Sequence, residues 1–212
     1  MRITHMAGFG LARAFRVMAL AGLVTVSALP AHGTAAADAG TFLSDLSVKA
    51  IDQLTVAGLS RGEKEQRFRK LMVQGFDIPA IGRFVLGRYW RAAGRPDRDA
   101  FLSVFEDMIV FRFLPLFEDQ AGDKLHVGIV RPFGNDAHLF NVSSELTRKK
   151  GEPIQIDWRV RKEGDQYKIL DVIAEGVSIA VTLRAEYGSV LKQNGGNVAD
   201  LTQTLRKKLA TL

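Results

Sequence analysis

The chain has 212 residues, no cysteine, and 29 Lys and Arg against 23 Asp and Glu. The missing thiol excludes disulfides, thiolate metal sites and cysteine nucleophiles, so an apolar core has to hold the fold without staples. The formal charge of +6 would suit a polyanion partner, but half of it sits in the first 37 residues.

That segment carries Arg2, Arg13 and Arg16 with no acid, then an apolar run from Val17 to Leu29, then the small-residue stretch AHGTAAADAG. This is the grammar of a secretory signal. The run is shorter than the roughly 20 residues a membrane-spanning helix needs, and Ala35 and Ala37 offer a cleavage point of the A-x-A type. Residues 1–37 are therefore predicted to be a signal peptide, with the mature chain beginning near Asp38; an uncleaved anchor is the alternative. Without the signal, 26 basic residues face 23 acids, and the case for a nucleic-acid partner falls on both charge and compartment.

Residues 38–212 are of a length for one domain. Phe42, Leu46, Ala50 and Leu54 recur every four residues and predict a first helix. The tetrapeptide SRGE, Ser60–Glu63, is a capping box opening a second helix that carries Phe68, Leu71 and Met72 on one face and ends at Gly75. Asp77 caps a third, with Pro79 in its first turn. This helix is expected to run through IGRFVLGRYWR with Ile78, Ile81, Phe84, Val85 and Tyr89 on a broad apolar face. Arg83, Gly87 and Arg91 fall mainly elsewhere. Pro96 and Asp97 open a fourth helix through FLSVFEDMIVFRFLPLF, bent near Pro115.

The period then changes. DKLHVGIV, AHLFNVSSEL, PIQIDWRV and YKILDVIAEG read as four strands separated by turn residues. In the third, Ile154, Ile156, Trp158 and Val160 alternate with Gln155, Asp157, Arg159 and Arg161, so the sheet has a dry face and a wet face, as an antiparallel meander does. Two helices close the chain, Ser178 to Lys192 and Val198 to Leu209, separated by NGG at Asn194 to Gly196. The expected class is α+β: helices, a curved four-stranded antiparallel sheet, then helices.

Catalytic signatures are sparse. His5 lies in the signal and His32 beside its end, leaving His126 and His138 singly on strands. No nucleophile elbow, zinc-protease helix or phosphate-binding glycine loop is present. The paired acids Glu106/Asp107 and Glu118/Asp119 are helix neighbours that point to different sides. Asp171 interrupts an apolar strand, and as a buried acid it is either a general base of raised pKa or the partner of a nearby arginine.

What the sequence has in excess is apolar surface. MIVFRFLPLF, Met108–Phe117, is apolar almost all round, which fits either a central core helix or the wall of a cavity. Phe101, Phe105, Phe111, Phe113 and Phe117 crowd this helix, and close packing of so many rings is harder than lining a cavity with them. Phe84, Tyr89 and Trp90 add a second aromatic helix facing the dry sheet.

GRFVLGRYWR, IDWRVRKEGDQYKILDVIAEGVSI and GSVLKQNGG together resemble the MlaC family of periplasmic phospholipid-binding proteins, also described as toluene-tolerance proteins, over about Phe42 to Leu209. The resemblance implies a helical layer on a curved sheet, enclosing an apolar cavity that takes acyl tails and leaves the head group outside. It further implies a cofactor-free carrier with no catalytic step. Such a carrier would shuttle phospholipid across the periplasm between an outer-membrane lipoprotein complex and an inner-membrane MCE-domain ABC transporter. Val177 in EGVSI, and Tyr89 and Trp90 in GRYWR, fall in matching motifs. Phe84, Val85, Tyr89, Trp90, Phe105, Ile109, Phe113, Phe117, Trp158, Ile173 and Val177 are accordingly expected on the cavity wall. Arg83, Arg88 and Arg91 are expected to face water, where they meet a head group or an acidic partner. The carrier is expected to be a monomer, with a cavity at or above the top of the usual ~300–1,000 Å³ range and with Pro115, Gly82 and Gly87 letting the helices part.

Within the carrier class another lipid is the alternative ligand, and two other classes stand beside this one. An enzyme would use Asp171 or His138 as a base on a small hydrophobic substrate. A structural adaptor of the cell envelope would have a solid core and no cavity.

Overall fold

The computed structural model describes residues 32–117, 122–149 and 151–211. Most of the predicted signal segment, and the acid pair Glu118/Asp119, lie outside the described residues. Helix α1 spans His32–Leu54 and α2 spans Arg61–Gly75. The SRGE box is formed in full: the Ser60 side chain accepts from the Glu63 backbone while the Glu63 carboxylate takes the Ser60 N–H at 2.9 Å. Asp77 then caps α3, Ile78–Leu86, by accepting from Ala80 N at 2.9 Å.

The long third helix expected from the sequence is broken. Gly87 has φ 54°, a conformation that L residues adopt only under strain, and it turns the chain into a separate short helix α4, Arg88–Ala92. Helix α5 covers Arg95–Phe113, and the bend foreseen near Pro115 is a 3₁₀ turn over Leu114–Phe117. Helices α6, Ile179–Gln193, and α7, Val198–Ala210, close the chain.

Five antiparallel strands, one more than expected, form a sheet in sequence order: β1 Lys124–Phe133, β2 Asp136–Thr147, β3 Ile154–Glu163, β4 Gln166–Ala174 and the two-residue β5 Val177–Ser178. The fifth arises because the tight turn at Glu175 and Gly176, both with positive φ, folds EGVSI back on the end of β4. Further along β4, Asp77 N donates to Ile169 O at 3.0 Å, and Lys168 Nζ donates to the Val73 and Gln74 carbonyls. The exposed edge of β4 is thereby covered and the last turn of α2 is capped.

Two cores result. One is helical, built on Phe101, Phe105, Leu191 and Leu201 among α3, α5, α6 and α7. The other lies where α1 crosses the dry sheet face, with Leu43, Phe140, Val142, Val160 and Ile169 fully buried. Between them α1, α2 and the end of α5 span the sheet without filling the space beneath.

Candidate functional site

That space is a cavity of about 450 Å³. Its floor is the dry face of the sheet: Leu125, Leu146, Ile154, Ile156, Trp158, Leu170, Val172 and Ala174. Its roof is Leu46, Ala50 and Ile51 of α1, Phe68, Leu71 and Met72 of α2, and Ile78 and Ile81 of α3. Ile109, Phe113, Leu116 and Phe117 close one side, and Ile179, Ala180 and Leu183 of α6 another. Among the described lining residues, Ser47, Asp123, Arg148 and Asp171 are polar, and Trp158 adds an indole N–H.

Those polar groups are mostly engaged. Trp158 Nε1 donates to Ser144 Oγ at 2.8 Å, and that hydroxyl donates to Ile156 O at 2.9 Å, so the indole presents an apolar surface with its N–H paired. Asp123 accepts from Lys149 N, and Arg148 donates to Glu152 O. Asp171 is buried and accepts from Ser178 Oγ at 2.6 Å and from Ala180 N at 3.0 Å. It stands opposite Arg159 in the strand register but forms no ion pair with it. Its charge is met by the first turn of α6, whose free N–H groups and dipole favour an anion.

Four of the residues expected on the wall line the cavity: Ile109, Phe113, Phe117 and Trp158. The other seven sit elsewhere. Phe105 is fully buried in the helical core, stacked on Phe101 at 5.4 Å and edge-on to Tyr187 at 6.2 Å, so part of the phenylalanine surplus fills a solid core after all. Val85 is buried in the same core, while Phe84 is half-exposed with the Arg184 guanidinium 4.8 Å above its ring. The corner at Gly87 takes Tyr89 and Trp90 off the face that carries Ile78 and Ile81. Tyr89 packs on Gly196, and Trp90 lies under Arg98, with 5.2 Å from guanidinium to ring.

Ile173 is displaced by a bulge. Arg159 pairs with Asp171 but Val160 pairs with Ile169, leaving Leu170 as an extra residue in β4. One extra residue exchanges the faces of everything beyond it. Val172 and Ala174 therefore oppose Trp158 and Ile156 over the cavity, and Ile173 opposes Asp157. Val177 is 61% exposed on the outer edge. Arg83, Arg88 and Arg91 are exposed. His126 and His138 are exposed and away from the cavity.

The roof contributed by α1 and α2 is absent from the sequence expectation, although Leu46 and Ala50, and Phe68, Leu71 and Met72, read there as helix faces. Nothing in their periodicity separates a face that meets protein from one that meets a ligand.

An α+β fold with a dry, nearly uncharged cavity between helix layer and sheet defines a container for an apolar molecule. Residues 46–207 match the model of the family described as MlaC protein, and the chain belongs to that family. It is 21% identical over 147 residues to the intermembrane phospholipid transport system binding protein MlaC of Haemophilus influenzae, covering 66% of this chain and 68% of that one. It is also similar in fold to the phospholipid-binding protein of Ralstonia solanacearum solved with a phospholipid, with a TM-score of 0.72 at 19% identity over 82% of this chain and 97% of the other.

Proposed function

We propose that this chain is a periplasmic phospholipid carrier that holds acyl tails in the cavity and leaves the head group in water. The observation that carries the reading is the lining, four polar residues among 29. Exposing acyl chains to water costs about 0.8 kcal/mol per methylene, so two chains cost on the order of 20 kcal/mol or more. That cost makes unaided crossing of an aqueous gap slow, and a dry cavity removes it. Because bilayer and cavity shield the tails alike, the carrier needs no nucleotide and direction comes from its partners. We take these to be an outer-membrane lipoprotein complex and an inner-membrane MCE-domain ABC transporter, with outer-membrane lipid asymmetry as the outcome. Family membership and the names of the two relatives support phospholipid binding and transport between membranes; the two partner complexes and the asymmetry outcome rest on the family resemblance.

The cavity is smaller than expected, well below the ~1,000 Å³ upper end of common ligand sites. A diacyl lipid thus requires the walls to part. The 3₁₀ turn around Pro115 is the element suited to move, since Leu116 is exposed while Leu114 is buried. Arg148 is the one cation among the described lining residues, and we assign it to meet a phosphate outside the tails.

Export requires a signal, and the structure bears on where it is cut. Helix α1 continues upstream of Asp38, Ala35 is buried, and its carbonyl accepts from the buried Tyr167 hydroxyl at 3.0 Å. We place the cut upstream of Ala35 rather than at Asp38. A mature N-terminus at Asp38 by intact mass would contradict this.

The carrier reading is tested by transfer of fluorescent phospholipid between donor and acceptor vesicles kept apart by a dialysis membrane. Faster transfer with the chain present supports it. An unchanged rate, together with turnover of a hydrophobic substrate lost in Asp171→Asn, would move the assignment to an enzyme.

A further inference from the structure

A second cleft, of about 330 Å³, lies at the outer corner of the helical layer and shares no lining residue with the apolar cavity. Its walls are the α3–α4 corner at Gly87 and the outward stripe of α6 formed by Arg184, Gly188 and Lys192 at intervals of one helical turn. Arg88 and Tyr89 complete it. Arg88, Arg184 and Lys192 have no carboxylate partner among the described residues, whereas Arg112 of α5 is paired at 2.9 Å with Glu186, on the other side of α6.

Two of the three cations are held in place by neutral groups. The Arg184 guanidinium lies over the Phe84 ring at 4.8 Å and against Gly87, where a Cβ would stand 3.0 Å from Nη2. Arg88 lies over the Tyr89 ring at 4.9 Å and donates to its hydroxyl at 2.8 Å. At Gly188 an added side chain would meet nothing within 4 Å, so the middle of the cleft is open. Three like charges around one opening repel one another, and two planar guanidinium forks held by aromatic faces are preorganised for a tetrahedral oxyanion.

We propose that this cleft binds a phosphate-class anion, either the phosphate of an anionic lipid head group at a bilayer surface or free phosphate. It is independent of the tail cavity, and its failure would leave the carrier reading untouched.

The test is calorimetric titration of the lipid-loaded protein with inorganic phosphate, and co-sedimentation with vesicles of phosphatidylglycerol or of phosphatidylcholine. The variants are Arg184→Gln with Lys192→Gln, and Gly188→Glu, which places a carboxylate in the opening. Bound lipid and Tm serve as the check on folding. Saturable phosphate binding that weakens roughly tenfold or more in both variants, with bound lipid unchanged, is the expected result. Variant-sensitive sedimentation with phosphatidylglycerol alone then assigns the source to the head group; no sedimentation assigns it to free phosphate. Absence of phosphate binding, equal binding in the variants, or equal competition by acetate would overturn the proposal, the last in favour of a protein carboxylate.

Discussion

At the residue scale, Leu170 determines which side chains of β4 face the cavity. Strict alternation from Ile169 would put Ile173 inside; the bulge puts Val172 there instead. Val172→Glu is therefore expected to abolish bound lipid by placing a charge on a dry wall. Val177→Glu, at an exposed position, is expected to retain it, and lipid extraction from the two purified variants separates them. Asp171 gives a second prediction. Removing the carboxylate in Asp171→Ala leaves Ser178 Oγ and Ala180 N without their partner, and should cost about 1–2 kcal/mol in urea unfolding. Tyr187 gives a third. Burial pushes its phenol up to about 12 from 10.0, with Glu186 adding to the effect. The unfolded phenol ionises first, so stability falls as pH rises from about 10 to about 12, by roughly 2–3 kcal/mol. Tyr187→Phe should flatten that alkaline loss.

At the element scale, helix caps and strand runs were legible because each has a local cause. The box at Ser60 and Glu63, the Asp77 cap and the Ile154–Val160 alternation all formed as their chemistry dictates. What was not legible was set by single backbone positions inside otherwise regular patterns. Gly87 reads as a tolerable helix residue, yet its φ of 54° makes the corner that moves Tyr89 and Trp90 to the helical core. The bulge at Leu170 leaves no residue signature at all, since leucine suits either face. Gly87→Ala should destabilise the fold by about 1–2 kcal/mol, through the strained φ and the contact with Arg184. Around Pro115, replacing the ring in Pro115→Ala stiffens the passage from α5 into the 3₁₀ turn. Uptake and release of lipid should slow while the amount bound at equilibrium changes little; unchanged rates in stopped-flow exchange would assign the opening motion to another element.

At the scale of the molecule, the architecture separates two jobs. The helical core among α3, α5, α6 and α7 is solid and holds the phenylalanine and tyrosine stack. The space between α1–α2 and the sheet stays open as a cavity, so that ordinary core residues such as Leu46, Phe68 and Met72 become its wall. The general form of the site, an apolar container on a sheet, came from the family resemblance; the surplus of apolar surface and the change of period by themselves left a central core helix and a cavity wall both open. Its membership was not legible, because a face awaiting a ligand and a face awaiting a neighbour have the same composition. Occupied by lipid, the cavity gains the burial that its walls lack, and delipidation should lower Tm. The most direct measurement is native mass spectrometry of the chain purified without detergent, followed by lipid extraction. The account predicts about one phospholipid per chain, absent in Val172→Glu and present in Val177→Glu. A chain that arrives empty and takes up no phospholipid from vesicles would contradict it.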